Sequence, residues 1–417
     1  MKLRYFVYFC VAVVAVIVGL SFYQPPMRLM PAPAVFLNER NPFTANPNLR
    51  EDPEINVFYA TNRMPIGPRD NRMYAIVPGR ELHLGMATVR IGEEGTTWDK
   101  IYALSTGAGD DTRPFLHLRN LDEQATVDSE SEIGADAKAW FAQVEAAVQD
   151  SLDKDITVYV HGANTTVERA AGQAAQLHHF TGRNSVMVLF AWPTAENFLR
   201  YSRDMETAFG AAPHLARLIE LLADNTTARN IDVFTYSAGA TVGSGALGRI
   251  GEDVGRHGVP NPRIGEVYHA APDADFRSFI DDMQKYAMLP RRMTVAVNMN
   301  DSALRLSQLV NRASRAGRPD LTELSPAASS WLLEAEEKYG LEIVHVRPED
   351  IPDLSRRSHT FWYDDPWVST DVLATLLFHL SPRDRGLEEE AARPRGRYWT
   401  FTADYLDRLS EAIARRR

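Results

Sequence analysis

Six apolar runs dominate the middle of the chain, each ending on polar residues and each separated from the next by other, often helix-patterned, sequence. They read "DITVYVHG" from Asp155, "SVMVLFAWP" from Ser185, "NIDVFTYS" from Asn230, "IGEVYHAAPD" from Ile264, "RMTVAVNMND" from Arg292 and "LEIVHVRPED" from Leu341. Runs that stay apolar at consecutive positions suit strands buried on both faces, as in a parallel sheet. Between them lie helical-period segments such as "TVERAAGQAAQLHHF" and "AAPHLARLIELLADN". Ahead of them, "GADAKAWFAQVEAAVQDSL" spaces Trp140, Val144, Val148 and Leu152 one helical turn apart, which gives one apolar helix face. Strands alternating with helices predict an α/β fold with a mostly parallel central sheet and helices on both faces. Upstream, "INVFYATNR" from Ile55 and "LHLGMATVRIG" from Leu82 are rich in β-branched and aromatic residues and predict a starting hairpin or the sheet's first edge.

The amino terminus is set apart from this pattern. From Tyr5 to Tyr23 the chain carries no charge, with Lys2 and Arg4 before it, and such a run approximates the roughly 20 residues that cross a bilayer. The expectation is an uncleaved anchor over residues 1–23, the alternative being a signal peptide. Basic flanks stay cytoplasmic, so the domain is expected across the membrane, periplasmic in a bacterium. Residues 24–53 are rich in proline and poor in periodic apolar pattern, and are expected to form an extended tether before a domain over residues 54–417. A net charge of -10 argues against a nucleic-acid partner, which needs clustered Lys and Arg. The one cysteine, Cys10, lies inside the apolar run, which leaves the domain without a disulfide or a thiolate metal site. No metal or organic cofactor is implied.

In open α/β sheets, ligands bind beyond the carboxyl ends of the strands. There the chain carries "HGANTT" at His161, "AWPT" at Ala191, "YSAGA" at Tyr236, "APDAD" at Ala271 and "NDSALRLS" at Asn300, with "SHTFWYDDP" further on. Two chemistries compete for the third of these. Gly243, Gly245 and Gly248 spell G-x-G-x-x-G, but a dinucleotide loop needs its first glycine directly after the strand, and Gly243 falls inside the following helix. These glycines are expected to let that helix approach the sheet closely. Ser237 instead stands where an apolar strand turns into a small-residue helix, the setting of a nucleophile elbow; a plain helix N-cap is the alternative. Gly239 meets the need for a small residue two positions on, whereas Thr235 strains the same need two positions before.

A serine hydroxyl needs a histidine to take its proton and a carboxylate to orient that imidazole, in the chain order serine, acid, histidine. His359 lies in the loop region after the last apolar run, while His269 and His345 fall within strands and His379 in a later helix. Asp301 and Asp273 both end strands. Asp301 is preferred as the acid because its strand immediately precedes the one leading to His359. Backbone donors for an oxyanion are expected from Ala238 and from the "HGANTT" loop, with Ala163 as donor, Gly162 permitting the turn and Asn164 bonding across it. Trp192, Trp362 and Trp367 are candidates for a pocket wall or for plain core.

The words "FYATNR", "VYVHGANTT", "LFAWPT", "TYSAGA", "AAPDAD", "NMNDSALRLS" and "SHTFWYDDP" together resemble the uncharacterised bacterial α/β-hydrolase family grouped with the esterase/lipase superfamily. The resemblance spans residues 56–380. It implies an α/β-hydrolase fold and a triad of Ser237, Asp301 and His359, and it assigns no substrate. Thr235 departs from the usual elbow, and the segment around 311–331 is expected to be a lid or insertion. The expectation is a membrane-tethered serine hydrolase of small or lipid-like acyl esters. Its rivals are an inactive hydrolase-fold scaffold and a hydrolase of thioesters or amides.

Overall fold

The computed structural model describes residues 5, 8, 26–36, 41–107, 113–128, 132–391 and 396–415. The anchor expected over residues 1–23 lies outside them except for Tyr5 and Tyr8, and among the described residues no helix is long and apolar enough to cross a membrane.

The strands are β1 (Glu54–Ile66), β2 (Met73–Ile91), β3 (Leu116–Val127), β4 (Ile156–Val160), β5 (Val186–Phe190), β6 (Ile231–Tyr236), β7 (Ile264–Ala270), β8 (Arg292–Val297), β9 (Leu341–His345), β10 (Glu388–Ala391) and β11 (Arg397–Thr400). They form one sheet in the order β10-β11-β9-β8-β7-β6-β4-β5-β1-β2-β3. The six apolar runs are β4 to β9, all parallel to their neighbours within that set. β1 and β2 make the expected antiparallel hairpin, but β1 is not an edge: it also runs parallel to β5, with Phe58 opposite Val188. The edge on that side is β3, whose Arg119, Asp122 and Glu123 mask a period-two burial pattern.

The longer helices are α1 (Trp98–Thr106), α2 (Ala135–Asp150), α3 (Val167–Phe180), α4 (Tyr201–Asn225), α5 (Gly239–His257), α6 (Phe276–Tyr286), α7 (Ser302–Asn311), α8 (Pro326–Tyr339), α9 (Pro366–Leu376) and α10 (Tyr405–Arg415). Side chains of α2, α4, α5, α6 and α8 share one core with one face of the sheet, and those of α1, α3, α9 and α10 share a second core with the other. Alternate residues of β4 divide accordingly, Val158 and Val160 to the first core and Tyr159 to the second.

The stretch expected as an extended tether is a correction to the sequence reading. Its described part packs on the second core: Leu29, Phe36 and Phe43 are buried, and the Phe36 ring meets Phe43 at 4.9 Å and Phe180 at 5.1 Å. Backbone pairing fixes it, since Leu29 N–H donates to Pro114 O and Leu116 N–H to Met27 O, both at 2.8 Å. Three well-spaced large apolar side chains suffice to dock a segment that has no helical or strand period.

The glycines of α5 bring it close to the sheet at Gly239 and Gly243, as expected, whereas Gly248 and Gly251 face α6 instead. A Cβ on Gly239 would stand 2.5 Å from the carbonyl oxygens of Val160 and His161, one on Gly248 3.1 Å from Asp282 Oδ1, and one on Gly251 would strike the Lys285 carbonyl. At Gly243 a Cβ would come within 2.5 Å of Thr235 Cγ2. The bulky residue before the elbow is therefore accommodated by a missing side chain one turn into α5. Its hydroxyl is used too, sharing a 2.6 Å hydrogen bond with His269 Nδ1. Gly243→Ala should lower stability by about 1–2 kcal/mol, because overpacking exceeds the gain in helix propensity. Thr235→Ser, which keeps the hydroxyl and removes the methyl, should recover most of that loss in the double variant, as read by urea unfolding. No recovery would mean that the clash lies elsewhere.

Candidate active site

The β6–α5 turn is built around a left-handed residue that is not glycine. Ser237 has φ 53°, a conformation that costs about 1–2 kcal/mol for an L-residue. Its backbone is held on both sides: its N–H donates to Ala270 O at 3.0 Å, and its carbonyl accepts from Ala240 N–H at 3.0 Å and Asp273 N–H at 2.9 Å. Gly162 lies close enough that a Cβ there would sit 2.9 Å from Ser237 Cβ. The turn thus projects Ser237 Oγ into the crevice between β4 and β6, where the strand order reverses.

His359 reaches this hydroxyl from beyond β9. Its Nε2 lies 2.8 Å from Ser237 Oγ and its Nδ1 lies 2.6 Å from Asp301 Oδ2. With the proton on Nδ1, that nitrogen donates to the carboxylate and Nε2 accepts from the serine. Burial pulls the imidazole pKa down, but the charge of Asp301 and the hydrogen bond to it, with a smaller push from Asp273, outweigh it and hold the pKa above 6.5. The Tyr236 ring covers the imidazole at 5.3 Å.

Asp301 is fully buried and is also the N-cap of α7: its Oδ1 accepts from Ala303 N–H at 2.8 Å and Leu304 N–H at 3.0 Å. One oxygen is fixed by the helix, which leaves the other aimed at the imidazole. Asn298, just past β8, ties the same corner to the histidine loop by donating from Nδ2 to Ser358 O at 2.9 Å. Asp273 does not pair with His359. Its carboxylate accepts from Tyr201 OH at 2.7 Å, Ser307 Oγ at 2.7 Å and Arg315 Nε at 2.6 Å.

Ala238 is buried directly after Ser237, and Ala163 is half-buried in the β4 loop that faces it. That loop is pinned by residues whose part the sequence did not reveal. Arg63, fully buried at the turn of β1, donates from Nη2 to Thr165 O at 3.1 Å and from Nε to Trp192 O at 3.1 Å, and pairs with Glu196 at 2.7 Å. Asn164, with φ 51°, donates its N–H to Asp204 Oδ2 at 2.9 Å, and Ala195 N–H donates to Asp204 Oδ1 at 2.5 Å. A lone arginine closing an apolar strand was the available signal for Arg63.

The remaining candidates lie elsewhere. His269 and His161 are both pushed down to about 3 by burial, His161 also by the charge of Arg63. His345 sits in β9, edge-on to Tyr398. Trp192 and Trp362 are core: Trp192 stacks on His161, and Trp362 packs among Tyr159, Phe234 and Tyr236. Trp367 lies against Tyr405. The expected lid around 311–331 begins as a pinned strap, with Ala316 N–H donating to Ala274 O at 2.9 Å and Gly317 N–H to Pro272 O at 2.7 Å.

Ligand-type atoms of Asp153, Asp155 and His379 come within 4.8 Å of one another at the opposite end of the sheet. There His379 follows α9 in a left-handed turn instead of sitting in a helix. Its Nε2 is 3.0 Å from Asp155 Oδ2 and its Nδ1 3.5 Å from Glu266. Burial opposes the charge, but these two carboxylates push the imidazole up to about 10, so the histidine is itself the cation of the cluster.

A doubly covered, mostly parallel sheet with this crevice at its strand reversal is an α/β hydrolase. The chain belongs to the family described as "Alpha/beta hydrolase of unknown function (DUF900)", whose sequence pattern matches residues 135–368. No curated protein matches it. Among solved structures it is similar to one described as a cell surface hydrolase of Lactobacillus plantarum, at 10% identity and a TM-score of 0.28, over 57% of this chain and 86% of that one. Another is a lipase-esterase related protein of Clostridium acetobutylicum, at 12% identity and a TM-score of 0.22, over 46% of this chain and 73% of that one. At such scores neither likeness carries an argument.

Removing the Arg63 head group should free the β4 loop without touching Ser237. Arg63→Met is expected to cost about 3 kcal/mol in thermal or urea unfolding, since it leaves Glu196 and the Trp192 carbonyl without their partner and takes one of two donors from the Thr165 carbonyl. Hydrogen exchange at the amides of residues 163–166 should quicken beyond what that global loss explains. Unchanged exchange there would remove Arg63 as the loop's anchor.

Proposed function

We propose that this hydrolase is a serine hydrolase that cleaves carboxylic esters through an acyl-enzyme. The observation that carries the reading is the unbroken line of contacts from Ser237 Oγ through both nitrogens of His359 to Asp301. In this mechanism Ser237 Oγ bonds to the acyl carbon while its proton passes to His359 Nε2, and Asp301 stabilises the resulting imidazolium. The oxyanion is held by the N–H groups of Ala238 and Ala163. His359 then protonates the departing alkoxide as the ester C–O bond breaks, and a water repeats the sequence to release the acid and restore the serine. In the same reading the apolar stretch from Tyr5 to Tyr23 tethers the domain to a membrane, on the side away from Lys2 and Arg4.

A fluorophosphonate probe should label the protein, and labelling should be lost in Ser237→Ala and kept in Ser244→Ala. The base works only when neutral, so activity on a short ester should rise with pH through a midpoint above the ordinary histidine value of 6.5. Asp301→Asn should lower kcat by about 10⁴-fold and move that midpoint down, because the carboxylate is what raises it. Protein that is folded yet inert to both probe and short acyl esters would sink the proposal.

A further inference from the structure

Next to the segments that carry Asp301 and Arg315 lies a second feature that the hydrolysis chemistry does not use. A cavity of about 320 Å³ opens between the β8–β9 face of the sheet and helices α6 and α8. Its floor is Val295, Val297 and Ile343, and its roof includes Phe279, Ile280 and Leu332. Protein interiors are packed about as densely as organic crystals, and large apolar voids in them are uncommon without an occupant. This volume sits at the lower end of the range of small-molecule sites, about 300–1,000 Å³.

The lining shows what the occupant must be. The charged groups at the far end are already spent: Arg397 pairs with Glu336 at 2.7 Å and with Glu389 at 3.1 Å. His345 is pushed down by burial and by the charge of Arg347, which leaves it neutral. Nothing along the walls invites a charged ligand. Leu341, Ile343 and His345 all line the cavity, so it runs along the five residues of β9, a span of about 13 Å that a saturated chain of roughly ten carbons would cover.

Its position ties it to the triad. Met299, half-exposed at one lip, stands two residues before Asp301. Ala316, at another lip, follows Arg315, which donates to Asp273, and Asp273 in turn donates its N–H to Ser237 O. Arg318 draws the strap over Met299 by donating from Nε to its carbonyl at 3.1 Å. Leu321 and Leu333 extend the apolar lip outward, and both are exposed. We propose that this cavity seats the hydrocarbon chain of the acyl group held at Ser237, which makes the preferred substrate an ester of a medium- to long-chain fatty acid. The inference rests on the serine-hydrolase reading.

The test is the acyl-length profile of the full chain on p-nitrophenyl esters from acetyl to dodecanoyl. Each methylene moved from water into the cavity should raise kcat/KM about fourfold until the space is filled. Leu332→Trp and Ile343→Trp, which fill the cavity, should lower the ratio of decanoyl to acetyl kcat/KM at least about tenfold. Variants are compared after checking for wild-type circular dichroism and melting, and Leu332→Phe makes the same test more mildly should tryptophan not fold. A flat profile in the wild type, or one the filled variants leave unchanged, overturns the cavity assignment while acetyl-ester cleavage upholds the hydrolase. A wild type that cleaves no ester at any length overturns the hydrolase reading and the acyl assignment with it. Displacement of a cavity-bound fluorescent dye by dodecanol in Ser237→Ala then reports whether hydrocarbon enters the cavity at all.

Discussion

The structure at the head of the sheet depends on one unfavourable residue conformation. Ser237 is held at φ 53°, where a β-carbon crowds the backbone, and it stays there because its surroundings leave no alternative. Its amide and carbonyl are committed to Ala270, Ala240 and Asp273, so rotation to an ordinary conformation would break three backbone hydrogen bonds at once. The turn also demands bare backbone around it. Gly162 and Gly239 supply this, one against Ser237 Cβ and the other against the carbonyls that end β4. Because Gly239 lets α5 cross so close to β4, the loop after β4 is brought beside the serine. The nearness of the β4 loop to the Ser237 hydroxyl is thus a consequence of the same close approach.

Loops beyond the strand ends lack the ladder that satisfies backbone groups inside the sheet, and buried arginines take its place here. Arg63 binds the loops after β4 and β5 into one unit by reaching the carbonyls of Thr165 and Trp192 together. Arg315 does the same for the strap, since its side chain bonds both the carboxylate and the carbonyl of Asp273. Burying a guanidinium is costly, and it is offset by four acceptors around Arg63 and by the carboxylate and carbonyl of Asp273 at Arg315. What such a residue secures is one arrangement of the loops rather than net stability. The same accounting separates the two aspartates: Asp273 is saturated by Arg315, Tyr201 and Ser307, whereas Asp301 keeps one oxygen for the imidazole.

Much of this was legible in the sequence, and the gaps have physical causes. β4 to β9 were readable because strands buried on both faces are apolar at every position. β3 was not, because Asn120, Asp122, Gln124 and Thr126 alternate with its buried residues and one of those, Glu123, is itself charged, which resembles a polar loop when read alone. The segment at Leu29, Phe36 and Phe43 was misread because docking by isolated large side chains has no period. At the site, the strand-end words marked the right edge of the sheet, but the partners of Asp273 and Asp301 lie in segments whose approach no local pattern encodes. Thr235 broke the local rule for an elbow, and the residue that compensates, Gly243, belonged to a motif suggesting a different chemistry.

The histidine comes from a loop rather than a strand, so its precision needs its own explanation. Between β9 and His359 runs a stretch of irregular chain, which alone would place an imidazole loosely. The segment after β8 removes that freedom. Asn298 holds Ser358 O, Ser302 Oγ reaches Arg357 O at 3.4 Å, and Asp301 between them holds His359 Nδ1. Asp301 and His359 are therefore aligned by one short segment, itself fixed by the first turn of α7 through the cap at Asp301. The distance between them is set by local contacts near the carboxylate and is insulated from the length of the loop that delivers the histidine. Sequence change in residues 346–356 can then alter what surrounds the crevice while the line of contacts from Ser237 through His359 to Asp301 keeps its geometry.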